Sequence, residues 1–247
     1  MTSLYESFEQ NGYIVLEGVL QDAVSIKKSL EEFMAQPRDD ENSDWNSSGF
    51  VLGPAHSDGQ QRVQKVQSVG LFFPDILDTV FRHEALQKAM NEVSPLAGHD
   101  MFGTKFFPMY PGATSVHWHQ DNHFFGTASP HIVSCAVYLE ETTVANGCLR
   151  VIPKSHLSGV VQHDKGEGIW ANGEWATDVD ESHAVDIIVP PGSIVLFNAL
   201  LLHAAHVNTS VDRTRFSLFC HFLPSNLEFS WRGTNFSRGA YKDRYPV

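Results

Sequence analysis

The chain has no long apolar run, little cysteine and no surplus of basic charge, and each shortage removes a class of function. Nowhere in its 247 residues does an uninterrupted apolar stretch approach the roughly 18 residues of a membrane span. The opening residues, Met1-Thr2-Ser3-Leu4-Tyr5-Glu6, also lack the basic and apolar regions of a secretory leader. A cytoplasmic location without membrane attachment is expected. The three cysteines, Cys135, Cys148 and Cys220, are odd in number, lie inside apolar segments and fit no zinc spacing. They read as small core residues of a reduced protein rather than as a disulfide framework. Lys and Arg number 17 against 29 Asp and Glu, a formal net charge of −12, which argues against a nucleic-acid or anionic-membrane surface. A small-molecule substrate is left as the expected partner, with the protein a monomer or homodimer. At 42% hydrophobic, 1–247 reads as one domain with a sizeable core.

Hydrophobic periodicity divides that domain. Residues 1–95 read as a mostly helical layer, with helices over 3–10 and 21–36, the second carrying Leu20, Val24, Ile26, Leu30, Phe33 and Met34 near one stripe and ending at Pro37. Between Pro74 and Val93 two short helices are expected, with a break near His83. The acidic stretch 38–48 is a solvated loop or an active-site lid. Strand-like runs bounded by Gly, Pro and Asn follow at 102–109, 115–121, 131–139, 148–152, 184–189, 193–197, 200–204 and 214–223. Eight short strands after a helical layer predict a mainly β fold with flanking helices, a double-stranded β-helix (jelly roll) core over 100–223, and a C-terminal tail over 224–247.

Chemistry enters at His119-Gln120-Asp121. In an extended strand, residues two apart point the same way, so the His119 imidazole and the Asp121 carboxylate converge on one point. With a remote histidine they make two neutral imidazoles and one carboxylate on one face. That is the ligand set of non-haem Fe(II) oxygenases, which leaves positions open for a co-substrate and O2. The tripeptide alone also suits a solvated strand end. Its context is the apolar run Leu196-Phe197-Asn198-Ala199-Leu200-Leu201-Leu202, which ends in His203. The next buried strand sets Arg215 and Ser217 on one face, where a guanidinium is costly to bury without an anion, either a dicarboxylate co-substrate or an internal acid. His117 could pair with His119 instead, while His206, three residues after His203, cannot share its direction in a strand. His123, His131 and His221 read as packing or hydrogen-bonding residues, His123 being close enough to line a pocket.

The chain resembles the phytanoyl-CoA dioxygenase-like Fe(II)/2-oxoglutarate-dependent oxygenases, piece by piece and in order. Residues 8–19 look like the opening helix and strand, and Trp118-His119-Gln120-Asp121-Asn122-His123 like the metal motif. Asn146-Gly147-Cys148-Leu149-Arg150-Val151-Ile152-Pro153-Lys154-Ser155-His156 is similar to an Asn-Gly-x-Leu-x-x-Ile-Pro-Gly-Ser-His segment, with Lys154 where Gly is usual. Pro191-Gly192-Ser193, His203 and Arg215-x-Ser217 complete the pattern. The resemblance implies a jelly-roll oxygenase with His119, Asp121 and His203 as catalytic iron ligands and Arg215, with Ser217, as the 2-oxoglutarate anchor. Lys105 lies in a segment resembling the family's pocket lining and is a further co-substrate contact or else a surface lysine.

The expected activity is oxidation, most simply hydroxylation, of a C–H bond in a small organic metabolite, with succinate and CO2 as co-products. Fe(II), 2-oxoglutarate and O2 are the expected cofactors, with ascorbate as reductant in vitro. Desaturation, cyclisation or epimerisation on the same centre, or a cupin-like metalloenzyme that needs no 2-oxoglutarate, are the alternatives. Phe106, Trp118, His123, Phe124 and Trp170 are expected to ring the substrate pocket, with Phe125 beside them. The net charge speaks against a coenzyme A thioester, whose phosphates need a basic mouth. The one locally basic stretch is the tail, with Arg232, Arg238, Lys242 and Arg244.

Overall fold

A computed structural model describes residues 3–35, 50–52, 62–94, 98–113, 116–166, 173–225 and 245–246. The segments 38–48, Trp170 and most of the tail lie outside them. Helix α1 (Leu4–Asn11) begins at a capping box in which Ser3 and Glu6 exchange backbone bonds. It leads into β1 (Tyr13–Leu16) and then α2 (Ala23–Met34). Ala23, Ile26 and Leu30 form the buried stripe of α2. Val24, placed on that stripe by periodicity, is 72% exposed.

The first third is less helical than its sequence suggests. Strands β2 (Phe50–Leu52) and β3 (Val63–Gln67) form a hairpin before α3 (Val69–Phe72). β3 reads Val-Gln-Lys-Val-Gln, whose polar residues conceal a strand that buries only Val63 and Val66 in the core beneath the helices. Next come α4 (Pro74–Ile76), a π-helical turn (Leu77–Phe81) and α5 (Glu84–Val93). The break falls at His83, whose imidazole caps α5 by accepting from the Ala85 N–H.

The remainder is β: β4 (His99–Met109), β5 (Val116–His119), a short α6 (Asp121–Phe125), β6 (Val133–Tyr138) and β7 (Leu149–Val151). A hairpin follows, β8 (His163–Lys165) with β9 (Glu174–Ala176). The chain continues through β10 (Val185–Ile187), β11 (Ser193–Asn198), β12 (His203–Ala205), β13 (Arg215–Pro224) and β14 (Tyr245–Pro246). Eight strands make a major sheet in the order β1-β11-β6-β13-β4-β3-β2, with β14 beside β4. Four make a minor sheet, β10-β7-β12-β5, and every pairing is antiparallel. This is the jelly roll.

Strands β6 and β11 are buried at every residue, because the major sheet is covered on both faces. Cys135, Val137, Ile194 and Leu196 pack towards Phe8, Ile26, Leu30 and Leu86 of the helices. Their alternates Ala136, Tyr138, Val195 and Phe197 pack against Leu149, Val151 and Ile187 of the minor sheet. Such strands read as continuous apolar runs. The three cysteines are buried and unpaired. Among the described residues, no helix is long and apolar enough to cross a membrane.

Candidate active site

β5 and β12 are neighbours in the minor sheet with His119 directly opposite His203, so two imidazoles face the inter-sheet space with ring centroids 4.1 Å apart. Asp121 is no longer in the strand; it is the first residue of α6. Gln120 keeps an extended backbone, φ −122° and ψ 131°, so the alternation runs one residue further and returns Asp121 to the side of His119. The fully buried Gln120 amide holds this bend. It donates to the carbonyls of Gly159 at 2.8 Å and Leu200 at 2.6 Å and accepts from the Val161 N–H at 2.8 Å.

The ligand atoms of His119, Asp121 and His203 all lie within 4.8 Å of one another. His119 Nε2 is 3.9 Å from Asp121 Oδ1, and His203 Nε2 is 3.8 Å from Oδ2. Each imidazole donates its Nδ1–H to the carbonyl two residues back, His117 at 2.7 Å and Leu201 at 2.9 Å. A carbonyl can only accept, so Nδ1 is the donor in both rings and Nε2 is the nitrogen turned inward, where a neutral ring presents its lone pair. Burial, with the neighbouring His203, pushes the His119 imidazole down to about 3. Burial works to raise the Asp121 carboxyl, but His203, His221, His119 and Lys105 outweigh it and hold the group below the usual carboxylate range. Two imidazoles and a carboxylate, pre-aimed at one point, fit a divalent metal.

A polar chain in the major sheet supports the carboxylate. Lys105 Nζ donates to His221 Nε2 at 2.9 Å, His221 Nδ1 donates to Ser134 Oγ at 3.0 Å, and Ser134 Oγ donates to Asp121 Oδ2 at 2.6 Å. Burial, then the Lys105 charge, pushes His221 down to about 3. His221 is thus part of the site's support, where its sequence suggested packing.

On the same inner face of β13 lies the second half of the site. Arg215 is 4% exposed; its Nη1 donates to the Gly147 carbonyl and its guanidinium lies over the Tyr138 ring, 5.5 Å from the centroid. Gly147 has φ +85°, and a Cβ there would run into Met109 Sδ and the His206 carbonyl, so only glycine presents that carbonyl. No carboxylate pairs with Arg215 among the described residues, and its buried Nε and the buried Ser217 Oγ have no hydrogen-bond partner. Two orphaned polar atoms aimed into one wall form a cradle of the right chemistry for a carboxylate. Arg213, by contrast, lies at the surface 3.5 Å from Glu141.

The expected pocket residues divide. Phe124 stands edge-on to His119, centroids 5.7 Å apart. His123 bonds Glu174 at 2.5 Å and stacks on His163 at 4.0 Å, so it sits at the site's edge. Phe106 is a correction: its pairing with Leu218 turns it towards the helices, where it packs on Phe216. Trp118 is another, since adjacent strand residues face opposite ways; it lies under Arg150 with Leu202 and Ala204 on the outer face of the minor sheet. Phe125 joins Phe102 and Ile132 in the core. Trp170 lies outside the described residues. Trp175 of β9, edge-on to His119 at 5.8 Å, had no sequence signal except the glycines of the surrounding hairpin.

His117 meets Trp175 at 5.6 Å and serves the triad through its carbonyl. His206 bonds Asp186 at 2.8 Å. Cys148, Asp186 and His206 also bring ligand atoms within 4.8 Å of one another, but Arg150 Nε, 3.3 Å from the Asp186 oxygen that His206 uses, already supplies the positive charge there.

A family model described as phytanoyl-CoA dioxygenase (PhyH) matches residues 8–217. A probable alpha-ketoglutarate-dependent hypophosphite dioxygenase of Stutzerimonas stutzeri is 26% identical over 63% of this chain and 56% of its own length. The peroxisomal phytanoyl-CoA dioxygenase of Bos taurus is 26% identical over 90% of this chain and 68% of its own. The chain therefore spans between half and about two thirds of these relatives. Among solved structures, EvdO2 from Micromonospora carbonacea var. aurantiaca superposes with a TM-score of 0.71 at 19% identity, covering 93% of this chain and 92% of that one. EctD from S. alaskensis, with 2-oxoglutarate and 5-hydroxyectoine, gives 0.72 at 17%, covering 98% and 83%. Both likenesses are of fold.

Proposed function

The chain belongs to the phytanoyl-CoA dioxygenase family, and on that footing we propose that it oxidises a C–H bond of a small organic metabolite. Hydroxylation is the default: the substrate C–H, 2-oxoglutarate and O2 become the alcohol, succinate and CO2. The observation that carries the reading is the pair of orphaned atoms, Arg215 Nε and Ser217 Oγ, on the wall that faces the His119, Asp121 and His203 cluster.

In this reading His119, Asp121 and His203 hold Fe(II), Arg215 and Ser217 take the distal carboxylate of 2-oxoglutarate, and Lys105 lends positive charge beside them. Bound iron, with 2-oxoglutarate and O2, supplies the oxidising equivalent that breaks an unactivated C–H bond. The chain's part is orientation and exclusion of water. The backbone carbonyls behind His119 and His203 fix both imidazoles, Ser134 fixes the carboxylate, and Phe124 and Trp175 screen the His119 side. A cupin-like enzyme without 2-oxoglutarate would leave the buried Arg215 charge with the Gly147 carbonyl and the Tyr138 ring but no anion among the described residues, and its Nε without a partner.

The test is a panel of small metabolites and acyl-CoA thioesters screened for succinate release with Fe(II), 2-oxoglutarate and ascorbate. Release driven by an uncarried small molecule is expected. Turnover confined to acyl-CoA thioesters, or product formed without 2-oxoglutarate, contradicts the proposal.

A further inference from the structure

Lys65 lies on β3, two strands from the β13 that carries Arg215 and Ser217, in the same major sheet. β3 pairs with β4 so that Val66 meets Phe106 and Gln67 meets Lys105. Val66 and Phe106 both pack against the helices, so the alternation places Lys65, Gln67 and Lys105 on the inner face. One step along that register, Lys65 stands beside Phe107, which is itself paired with Ser217. A row therefore crosses the inner wall from Lys65 through Phe107 to Ser217. Neighbouring strands are about 4.8 Å apart, so Lys65 lies roughly 10 Å across the sheet from the 2-oxoglutarate cradle. Phe107, edge-on to Phe219 at 5.2 Å, separates the two.

No acid pairs with Lys65 among the described residues. Its nearest charge of note is Lys105, which is already engaged with His221. Burial, with the Lys105 charge, lowers the Lys65 ammonium to about 8. Two like charges on one wall repel, and an anion seated between them would relieve that repulsion. The co-substrate does not supply that anion, because its distal carboxylate is committed to Arg215 and Ser217.

We propose that Lys65 is the seat for an anionic group, a carboxylate or phosphorus oxyanion, on the primary substrate, which is thereby held across Phe107 from 2-oxoglutarate. This rests on the oxygenase reading above and narrows it to anionic small molecules. The seat is a single ammonium, so it selects charge and reach without demanding the planar fork of a carboxylate.

The experiment titrates protein loaded with Mn(II) and saturating 2-oxoglutarate, by calorimetry, with propionate, hexanoate, decanoate and methylphosphonate, and with the primary amides of the three acids. At least one anion is expected to bind, the carboxylate arm and the phosphonate arm telling the two sources apart. A binding carboxylate exceeds its amide; in Lys65→Met the binding anion weakens by about tenfold or more, and it recovers in Lys65→Arg. The affinity for 2-oxoglutarate stays unchanged. Lys65→Met without ligands is also expected to melt higher than wild type, since an ammonium held beside the like charge of Lys105, with no acid paired to it among the described residues, is a cost borne for function. No anion binding to the wild type, no preference of the binding carboxylate over its amide, undiminished binding in Lys65→Met, or a lower melting point for that variant each overturns the proposal. Failure of the wild type to bind 2-oxoglutarate with Mn(II) is a separate result and removes the oxygenase reading itself.

Discussion

Ser134 and His221 touch no expected ligand of the iron except the Asp121 carboxylate, yet they decide how that carboxylate is presented. Ser134 Oγ sits 2.6 Å from Asp121 Oδ2 and takes its own orientation from His221. Ser134→Ala is therefore expected to weaken Mn(II) or Fe(II) binding by about 10–100-fold, as loss of a ligand's hydrogen-bond partner does. His206→Ala should leave metal titrations unchanged, and the reverse ordering would place the metal elsewhere. Arg215→Ala removes one side of a buried charge-assisted contact, worth about 2–5 kcal/mol. A 2-oxoglutarate titration should show a correspondingly weaker affinity, with Arg213→Ala close to wild type because it faces Glu141 at the surface. A larger defect in Arg213→Ala would move the anchor by two positions.

At the scale of elements, the site depends on one register and one bend. His119 opposite His203 joins two residues far apart in sequence, and Gln120 turns the chain so that Asp121 joins them. His119 and Asp121 were legible as a pair because two-residue alternation needs only an extended Gln120, whether or not the strand continues. Phe106 and Trp118 were misread by the same rule, applied to closeness in sequence and not to parity: each neighbours a site residue and so faces away from it. β3 was missed because its inner face carries Lys65 and Gln67, so a strand with polar residues on one side lacks the apolar run that announced β6 and β11. Gln120→Ala strips three backbone partners at once in a fully buried place. It is expected to cost about 3 kcal/mol in urea denaturation and to weaken metal binding with it. An unchanged metal affinity would mean the bend is held by α6 alone.

For the whole molecule, acid sensitivity follows from burying imidazoles without charge. His119 and His221 are both held at about 3, below the ordinary histidine value near 6.5. Between those values the unfolded chain binds protons that the folded chain does not, so this contribution is intact above about pH 6.5 and is lost progressively as pH falls towards 3. Urea denaturation of the metal-free protein between pH 7 and 5 should show stability falling by as much as about 1.4 kcal/mol per pH unit for each histidine. A flat profile would mean that neither ring is held neutral. The two-sheet core was legible at this scale because strands buried on both faces advertise themselves. The polar network at its centre was not, since Ser134, His221 and Lys105 come from different strands and meet only through register.

The most direct test of the central claim, one metal and one 2-oxoglutarate in a single site built by His119, Asp121, His203 and Arg215, needs no substrate. Anaerobic protein with Fe(II) is titrated with 2-oxoglutarate while the visible charge-transfer absorption of the chelate is recorded. The account predicts a band that saturates in the wild type and in His206→Ala, is absent in the alanine variants of His119, Asp121 and His203, and needs far more 2-oxoglutarate in Arg215→Ala. A band that survives His203→Ala and is lost in His206→Ala, or no band in the wild type, would contradict it.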